Sequence, residues 1–408
     1  MVKRPSSLNL GAGTASGEPV LDKSLMRRFP LFVDMLAEAE RRIPKRIAGY
    51  LLGGADSERG MAENCAAFQR VALVPRYGVD LPERSLNVEL FGRSYGAPIG
   101  VAPVGYTGAI WPGAERALAK AAQAANVPFI TSTFAIEPLE TIIGYAPDVA
   151  WFQLYCFKTM DHSFDLIERA KRAGYRVLVV TVDIPVYSKR TRDHRNGLEF
   201  PPSISLALLT EVARTPLWSA EYLKRPYPLP GNMMRYAANP TGGAAALREL
   251  LARAEMRAIG WNDLAELRKR WPGKLVIKGI QHAGDAEAAV AAGADGIIVS
   301  NHGGRQFDAA PASIDSLPSV VAAVGARATV MLDSGVRSGL DVARALVRGA
   351  QCCFAGRAFV AACAAAGNAQ AGARHAMSLF QDEIATALGQ LGAASPAALL
   401  GDRTREWR

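Results

Sequence analysis

Eight short apolar runs, each closed by a polar or glycine-containing turn, set the tightest limit on how this chain can fold. They are Ile99–Pro103, Pro128–Ser132, Ala150–Tyr155, Val177–Val182, Leu275–Gly279, Gly296–Ser300, Ala328–Leu332 and Cys352–Gly356. Runs of this length suit strands that are buried on both faces. Between most neighbours lies an Ala-rich segment with helical spacing, such as Gly113–Asn126, Ser163–Ala173, Ala283–Ala292 and Ser338–Arg348. Strand then helix, eight times over, calls for parallel strands joined by right-handed crossovers. Eight such units close into an α/β fold, the (β/α)8 TIM barrel. A doubly wound open sheet is the other architecture this alternation permits. Half of the 408 residues are apolar, enough for one large core. We expect a single barrel domain over 26–408, preceded by a mobile tail over 1–25.

Two regions stand outside the eight-fold pattern. Residues 26–95 precede the first run, and their helical stretches Phe29–Arg42 and Pro44–Leu52 suit a cap over the barrel bottom or rim. The connection from Asp183 to Lys274 far exceeds the ~2–6 residues of an ordinary strand-to-helix loop. We assign an insertion to 200–262, after the fourth strand. Its middle, 203–236, mixes Trp218, Tyr222, Tyr227, Met233 and Met234 with Lys224, Arg225 and Arg235. Apolar, aromatic and basic residues together suit an interfacial membrane contact. A lid or a subunit interface fits the same composition. No stretch approaches the ~18 apolar residues of a membrane-spanning helix, and the first 25 residues lack the apolar core of a signal peptide.

Charge narrows the partners. Lys plus Arg number 47 against 38 Asp plus Glu, a net +9. That excess favours anionic ligands or an anionic membrane surface, although solvated surface charge also accounts for it. No compact basic run with interleaved aromatics appears, which argues against nucleic acid. The five cysteines are odd in number and form no CxxC pair, against both a disulfide framework and a zinc site. A reducing, cytoplasmic location follows, peripheral on the inner face of the cell membrane if the insertion touches lipid. No His/Asp/Glu cluster has metal spacing, so no metal is expected. His162, His194, His282 and His375 lie in helix or loop context and are expected at the surface.

In a parallel barrel the chemistry gathers where strands end. The eight runs deliver there Pro103, Val104 and Gly105; Ser132; Gln153 and Tyr155; Thr181 and Asp183; Lys278; Ser300, His302 and Arg305; Asp333, Gly335 and Arg337; and Gly356 and Arg357. The sixth is the most informative: IIVSNHGGRQFD (Ile297–Asp308) ends a buried strand in an imidazole and a guanidinium three residues apart. One can take a proton; the other can hold a carboxylate with two parallel hydrogen bonds. That pairing suits oxidation of a 2-hydroxy acid. The Gly- and Arg-containing turns after the seventh and eighth strands, DSGVRSG and GR, suit a phosphate bound by backbone N–H groups. Lys278 is a cation at the end of a buried strand. It serves an anionic ring system or a structural salt bridge.

These motifs resemble the FMN-dependent 2-hydroxy acid dehydrogenase and oxidase family, which includes glycolate oxidase and flavocytochrome lactate dehydrogenase. The likeness runs from about Phe29 to about residue 390. SNHGGRQ is very specific to the family. YLLGGA (Tyr50–Ala55), WFQLY (Trp151–Tyr155), TVDIP (Thr181–Pro185), VIKG (Val276–Gly279), LDSGVRSGLD (Leu332–Asp341) and AGRAF (Ala355–Phe359) accompany it. Within the family, VAPVGYTGAIWP (Val101–Pro112) and PFITST (Pro128–Thr133) look most like (S)-mandelate dehydrogenase. TPLWSAEYLKRP (Thr215–Pro226) resembles the part that attaches membrane-associated members to the membrane.

The resemblance implies FMN as cofactor, His302 as active-site base, and Asp183 as its partner. It gives Arg305 and Tyr50 to the substrate carboxylate, Tyr155 to the substrate hydroxyl, and Arg190 to the same pocket. Lys278 would face the flavin N1 and O2 edge. Ser132, Gln153 and Thr181 would hydrogen-bond the isoalloxazine, with Pro103, Val104 and Gly105 beside N5 and Ser300 nearby. Asp333 would hold the ribityl chain, and Gly335, Arg337, Gly356 and Arg357 the phosphate. The expected activity is oxidation of an (S)-2-hydroxy acid, mandelate- or lactate-like, to the 2-oxo acid. Electrons would pass to a quinone or carrier protein, and the chain would assemble as a homotetramer. Gly105, where oxidases often carry Ala, favours a dehydrogenase over an oxygen-using oxidase that makes peroxide. A flavin-binding sensor without catalysis, and a non-flavin barrel enzyme for a phosphorylated metabolite, are the remaining readings.

Overall fold

The computed structural model describes residues 21–81, 83–199, 205–225, 228–253 and 256–407. A hairpin, β1 (Val88–Leu90) and β2 (Arg93–Tyr95), precedes the barrel strands. These are β3 (Ile99–Val101), β4 (Phe129–Thr131), β5 (Ala150–Leu154), β6 (Val177–Thr181), β7 (Lys274–Ile280), β8 (Gly296–Val299), β9 (Thr329–Leu332) and β10 (Cys353–Ala355). All eight run parallel and in chain order, and β10 pairs with β3 through Cys353↔Ile99, Phe354↔Gly100 and Ala355↔Val101, which closes the barrel. The strand expectations hold to within a residue or two at each end. The open sheet is excluded. Val, Ile and Leu fill β6 and β8 because neither face meets water.

The hairpin answers a question the sequence left open, namely what seals the barrel floor. Phe91, in the hairpin turn, packs on Trp151 with ring centroids 5.7 Å apart, and Trp151 in turn meets Phe354 at 5.5 Å. The Tyr95 hydroxyl accepts a 3.1 Å hydrogen bond from the Trp151 indole. The leading helices are α1 (Lys23–Arg28), α2 (Phe32–Arg42), α3 (Lys45–Leu52) and α4 (Arg59–Gln69). Of these, α3 and α4 reach the opposite, C-terminal rim, as their bonds to the loop after β8 show. The N-terminal region thus serves both ends.

The insertion between β6 and β7 carries helices Thr191–Arg195, Leu206–Arg214, Pro216–Leu223, Gly243–Arg253 and Trp261–Arg270. Three of its aromatic and Met residues do not face outward as composition suggested. Trp218, Met233 and Met234 are buried. Trp218 donates to the Ile110 carbonyl at 2.9 Å and stacks on Tyr222. Asn232, fully buried, donates to the Ser132 carbonyl and accepts from the Leu139 N–H. What faces outward instead is a set of leucines, Leu206, Leu209, Leu217 and Leu223, at 54–85% exposure. Tyr227, residues 200–204 and most of the expected N-terminal tail lie outside the described residues. No described helix is long and apolar enough to cross a membrane.

Candidate active site

The loop after β8 is built to present one imidazole. Backbone dihedral φ is +59° at His302, +69° at Gly303 and +72° at Gly304. Three successive left-handed residues turn the chain back sharply, and two can be glycine without steric cost. A Cβ on Gly304 would sit 2.5 Å from the Met61 backbone nitrogen. The turn is locked to α4 by a reciprocal amide pair, Asn64 Nδ2 to Asn301 Oδ1 and Asn301 Nδ2 to Asn64 Oδ1, both 2.8 Å and buried. Ser300 Oγ accepts from the His302 N–H at 3.0 Å, and Ser334 Oγ accepts from the Gly303 N–H at 2.9 Å.

His302 Nδ1 lies 2.8 Å from Asp183 Oδ1, and its Nε2 is 3.5 Å from the Tyr155 hydroxyl. An Nδ1–H donated to Asp183 leaves Nε2 as the acceptor. Burial lowers the imidazole pKa, and the Asp183 carboxylate only partly opposes it. Burial works to raise the Asp183 pKa, but His302 and Lys278 together hold it below the ordinary range. The Tyr155 phenol is pushed up by burial and then by Asp183, so it stays protonated. Gly279, at φ +105°, makes this approach feasible: a Cβ there would stand 2.6 Å from the Asp183 Cβ. Asp183 Oδ2 is buried with no hydrogen-bond partner among the described residues.

Lys278 is 4% exposed and forms a 3.1 Å pair with Asp333, while donating to Ser300 Oγ at 2.9 Å. Burial disfavours its charge, but Asp333 and Asp183 outweigh that and hold its pKa above the usual value. Next to it, Ser132, Gln153 and Thr181 form one buried chain of hydrogen bonds: Ser132 Oγ to Gln153 Oε1 at 3.2 Å, and Gln153 Nε2 to Thr181 Oγ1 at 3.0 Å.

The guanidiniums behave differently. Arg305 Nη1 donates to the Tyr50 and Gly53 carbonyls at 2.6 and 2.9 Å, and its guanidinium lies 4.9 Å over the Tyr50 ring. Arg357 donates to the carbonyls of Leu51, Gly53 and Gly303. Both thus satisfy the unpaired carbonyls at the C-terminus of α3 and fix Tyr50 at the rim. Burial, then the neighbouring Arg190, brings the Arg305 pKa down to about 10. Burial, then Arg305 and Arg337, pushes Arg357 far below its ordinary value. Arg337 spends one nitrogen on the adjacent Val336 carbonyl.

A cavity of about 430 Å³ joins these groups. Tyr50, Tyr155, Arg190, His302 and Arg305 line it towards one side; Gly335, Arg337, Gly356 and Arg357 contribute to the same wall as Lys278 and Asp333; Pro103, Val104 and Gly105 are also exposed to it. Of the expected site residues, Ser132, Gln153, Thr181, Asp183 and Ser300 do not line it directly; Asp183 reaches it through His302. Sequence reasoning missed Asp193, His194, Leu251 and Met256, all of which line the cavity. His194 is exposed, as expected, but on the cavity. His375 is a correction: it is buried, 3.0 Å from the Phe29 carbonyl, where it ties the C-terminal helix Ala369–Gln390 to the chain ahead of α2.

Residues 39–406 match the FMN-dependent dehydrogenase family. The chain belongs to it. This FMN-dependent dehydrogenase is 40% identical to an L-lactate dehydrogenase of Ectopseudomonas mendocina over 370 residues, 90% of this chain and 97% of that protein. An L-lactate dehydrogenase of Vibrio cholerae is 38% identical over 90% of this chain and 97% of its own length. Among solved structures, (S)-mandelate dehydrogenase, described as a monotopic membrane protein, superposes with a TM-score of 0.86 at 33% identity, covering 92% of this chain and 98% of that one. A mandelate oxidase with (S)-4-hydroxymandelic acid gives 0.78 at 34% identity, covering 91% and 98%.

The residues of this dehydrogenase fit FMN on their own chemistry. Burial, Arg305 and Arg337 disfavour the protonated Arg357 guanidinium, which calls for an anion. Arg357 begins the helix Arg357–Ala365 after Gly356, and Gly335 and Arg337 line the same cavity, a set that fits a phosphate. A Cβ on Gly356 would come within 3.0 Å of Val104, so that wall admits little beyond bare backbone.

Proposed function

We propose that this dehydrogenase oxidises an (S)-2-hydroxy acid to the 2-oxo acid and passes the electrons to a quinone or a carrier protein. The observation that carries the reading is an imidazole, oriented by the Asp183 carboxylate at 2.8 Å, on the same cavity as Arg305, Arg190, Tyr50 and Tyr155. Oxidation removes two electrons and two protons from the carbinol. Bound FMN supplies the two-electron acceptor.

The chain's own residues do the rest. Arg305, with one nitrogen anchored to α3, and Tyr50 grip the substrate carboxylate, and Arg190 adds charge to the same corner. Tyr155, protonated at all working pH values, donates to the substrate oxygen. His302 takes a proton at Nε2, and Asp183 stabilises the resulting imidazolium. Lys278, with Ser132, Gln153 and Thr181 close by, would hold the polar part of the flavin ring and keep positive charge there. Pro103, Val104 and Gly105 would line the ring. Asp333 orients the ribityl chain as well as Lys278. Gly335, Arg337, Gly356 and Arg357 hold the phosphate, Arg357 through N–H groups left over from its carbonyl bonds.

Anaerobic mixing with lactate, glycolate and mandelate tests this directly: at least one acid bleaches the flavin, and the colour returns on adding a quinone analogue. A protein that no 2-hydroxy acid bleaches refutes the reading. Rapid peroxide formation in air would instead make it an oxidase. The exposed leucines of the insertion, with the monotopic character of the mandelate dehydrogenase neighbour, support peripheral membrane binding. Flotation with anionic vesicles, lost in Leu206→Ser/Leu209→Ser, checks it. A homotetramer belongs to the same reading and is measured by light scattering.

A further inference from the structure

We propose that Leu251 and Met256, both supplied by the insertion, select 2-hydroxy acids with an aryl-sized apolar side chain over lactate-sized ones. This rests on the dehydrogenase reading above and adds the substrate class. The cavity carries two kinds of lining. One is the cationic and phenolic corner of Arg190, Arg305 and Tyr50. The other is apolar: Tyr106 and Phe134 stack with centroids 5.9 Å apart and 19° between planes, and Leu251 and Met256 line the same cavity. A substrate held by its carboxylate at the first must extend its remaining substituent toward the second.

Both insertion residues are held in place yet keep apolar surface uncovered. Met256 forms an antiparallel bridge with Phe157, and the next N–H, of Arg257, donates to the Cys156 carbonyl at 2.9 Å. Arg257 is itself fixed by a two-pronged bond to Asp263. Phe157 meets Phe134 edge-on at 6.3 Å, so Met256 is tied to the same aromatic wall. Leu251 rides on the helix Gly243–Arg253, whose Ala246, Leu247 and Leu250 are buried in the core. Leu251 and Met256 remain only partly buried. Gly105 leaves room beside Phe134: a Cβ there would approach the Phe134 Cβ to 3.2 Å and the Tyr50 hydroxyl to 3.5 Å. A methyl substituent leaves most of this apolar wall in contact with water, whereas a phenyl ring covers it. Because the discriminating contacts come from the insertion, the barrel strands alone do not set the preference.

The test uses the FMN-loaded full-length protein. Rates of anaerobic flavin reduction by mandelate and by lactate give a ratio of kcat/KM, which favours mandelate in the parent. Met256→Ala and Leu251→Ala each lower that ratio about 10-fold, the scale set by losing a few methylenes from an apolar pocket. Binding is read separately with two carboxylates that cannot be oxidised. Phenylacetate perturbs the flavin spectrum at lower concentration than acetate, and the two variants narrow that gap. Should either variant lose FMN, the milder Met256→Val and Leu251→Val lower the ratio in the same direction, and a ratio unmoved in them overturns the proposal equally. A parent that favours lactate, or a ratio unmoved in the alanine variants, overturns the proposal. If no acid bleaches the flavin, the dehydrogenase reading fails, and equal binding of phenylacetate and acetate then overturns this one independently.

Discussion

Two groups of cations sit at one barrel mouth and are treated in opposite ways. Lys278 is paired with Asp333, lies near Asp183, and keeps its charge more firmly than a free lysine does. Arg305 and Arg357 donate instead to backbone carbonyls at the end of α3 and, for Arg357, of Gly303, and their protonated forms are disfavoured by burial and by neighbouring guanidiniums, Arg190 for Arg305 and Arg305 with Arg337 for Arg357. The first group is electrostatically complete within the protein. On the proposed function, the second is completed by what binds: a substrate carboxylate at Arg305 and Arg190, a phosphate at Arg337 and Arg357. A site can therefore be located by asking which buried charges the fold has left unbalanced.

The comparison makes its largest demand on the residue between the two groups. His302→Ala should keep FMN, because no cofactor contact is assigned to it, yet slow substrate bleaching by on the order of 10²–10⁴-fold. Stopped-flow reduction measures it, and bleaching at near the parent rate would sink the base assignment. Next comes Lys278→Met. It strands the Asp333 carboxylate, whose side chain is 8% exposed. Breaking such a pair costs about 3–5 kcal/mol, and Tm should fall on the order of 5–10 °C. Replacing both partners, Lys278→Met with Asp333→Leu, returns much of that stability but not the affinity for FMN. Arg305→Met should show the reverse signature. It removes a charge that has no carboxylate partner and loses only carbonyl bonds, so the thermal cost stays about 1–3 kcal/mol. Its kcat/KM falls by the roughly 2–5 kcal/mol of a severed charged contact. If Arg305→Met destabilised the protein more than Lys278→Met did, the division into complete and incomplete charges would be wrong.

Much of this mouth was legible in the sequence because it is local. SNHGGRQ delivers His302 and Arg305 from a single turn, and eight apolar runs of similar length close a barrel with little freedom left. The Lys278–Asp333 pair was legible only as an alternative, since β7 and β9 are not neighbours and nothing local links them. What stayed hidden depends on long-range packing. Phe91 as the floor of the barrel has no signal beyond a two-residue turn. The buried positions of Trp218, Met233 and Met234 reverse what their composition suggested, because a mixed aromatic and basic segment reads alike whether it faces lipid or packs on Ile110. Leu251 and Met256 reach the cavity only through the course of the insertion.

The smallest expected effect tests the link between the two groups. Burial lowers the His302 pKa, Asp183 raises it, and Lys278 and Arg190 lower it again. The imidazole is neutral, and able to take a proton, above that depressed pKa. Reduction of the flavin should therefore hold steady above the usual histidine value of about 6.5 and fall only as the pH drops below it. Asp183→Asn removes the one opposing charge. The acid limb should then move to still lower pH, while the plateau rate drops because the imidazolium is no longer stabilised. Stability follows the same sign: a neutral buried imidazole contributes above its unfolded pKa, and that contribution is lost as the pH falls through the folded one. The variant should accordingly lose more stability than its parent as the pH falls from neutral toward the carboxylate range, whereas within that range the parent also loses the contribution of Asp183, whose own pKa is depressed. A limb that moved toward alkaline pH would mean that Asp183 does not set the charge of His302, and that the balanced half of the mouth ends at Lys278.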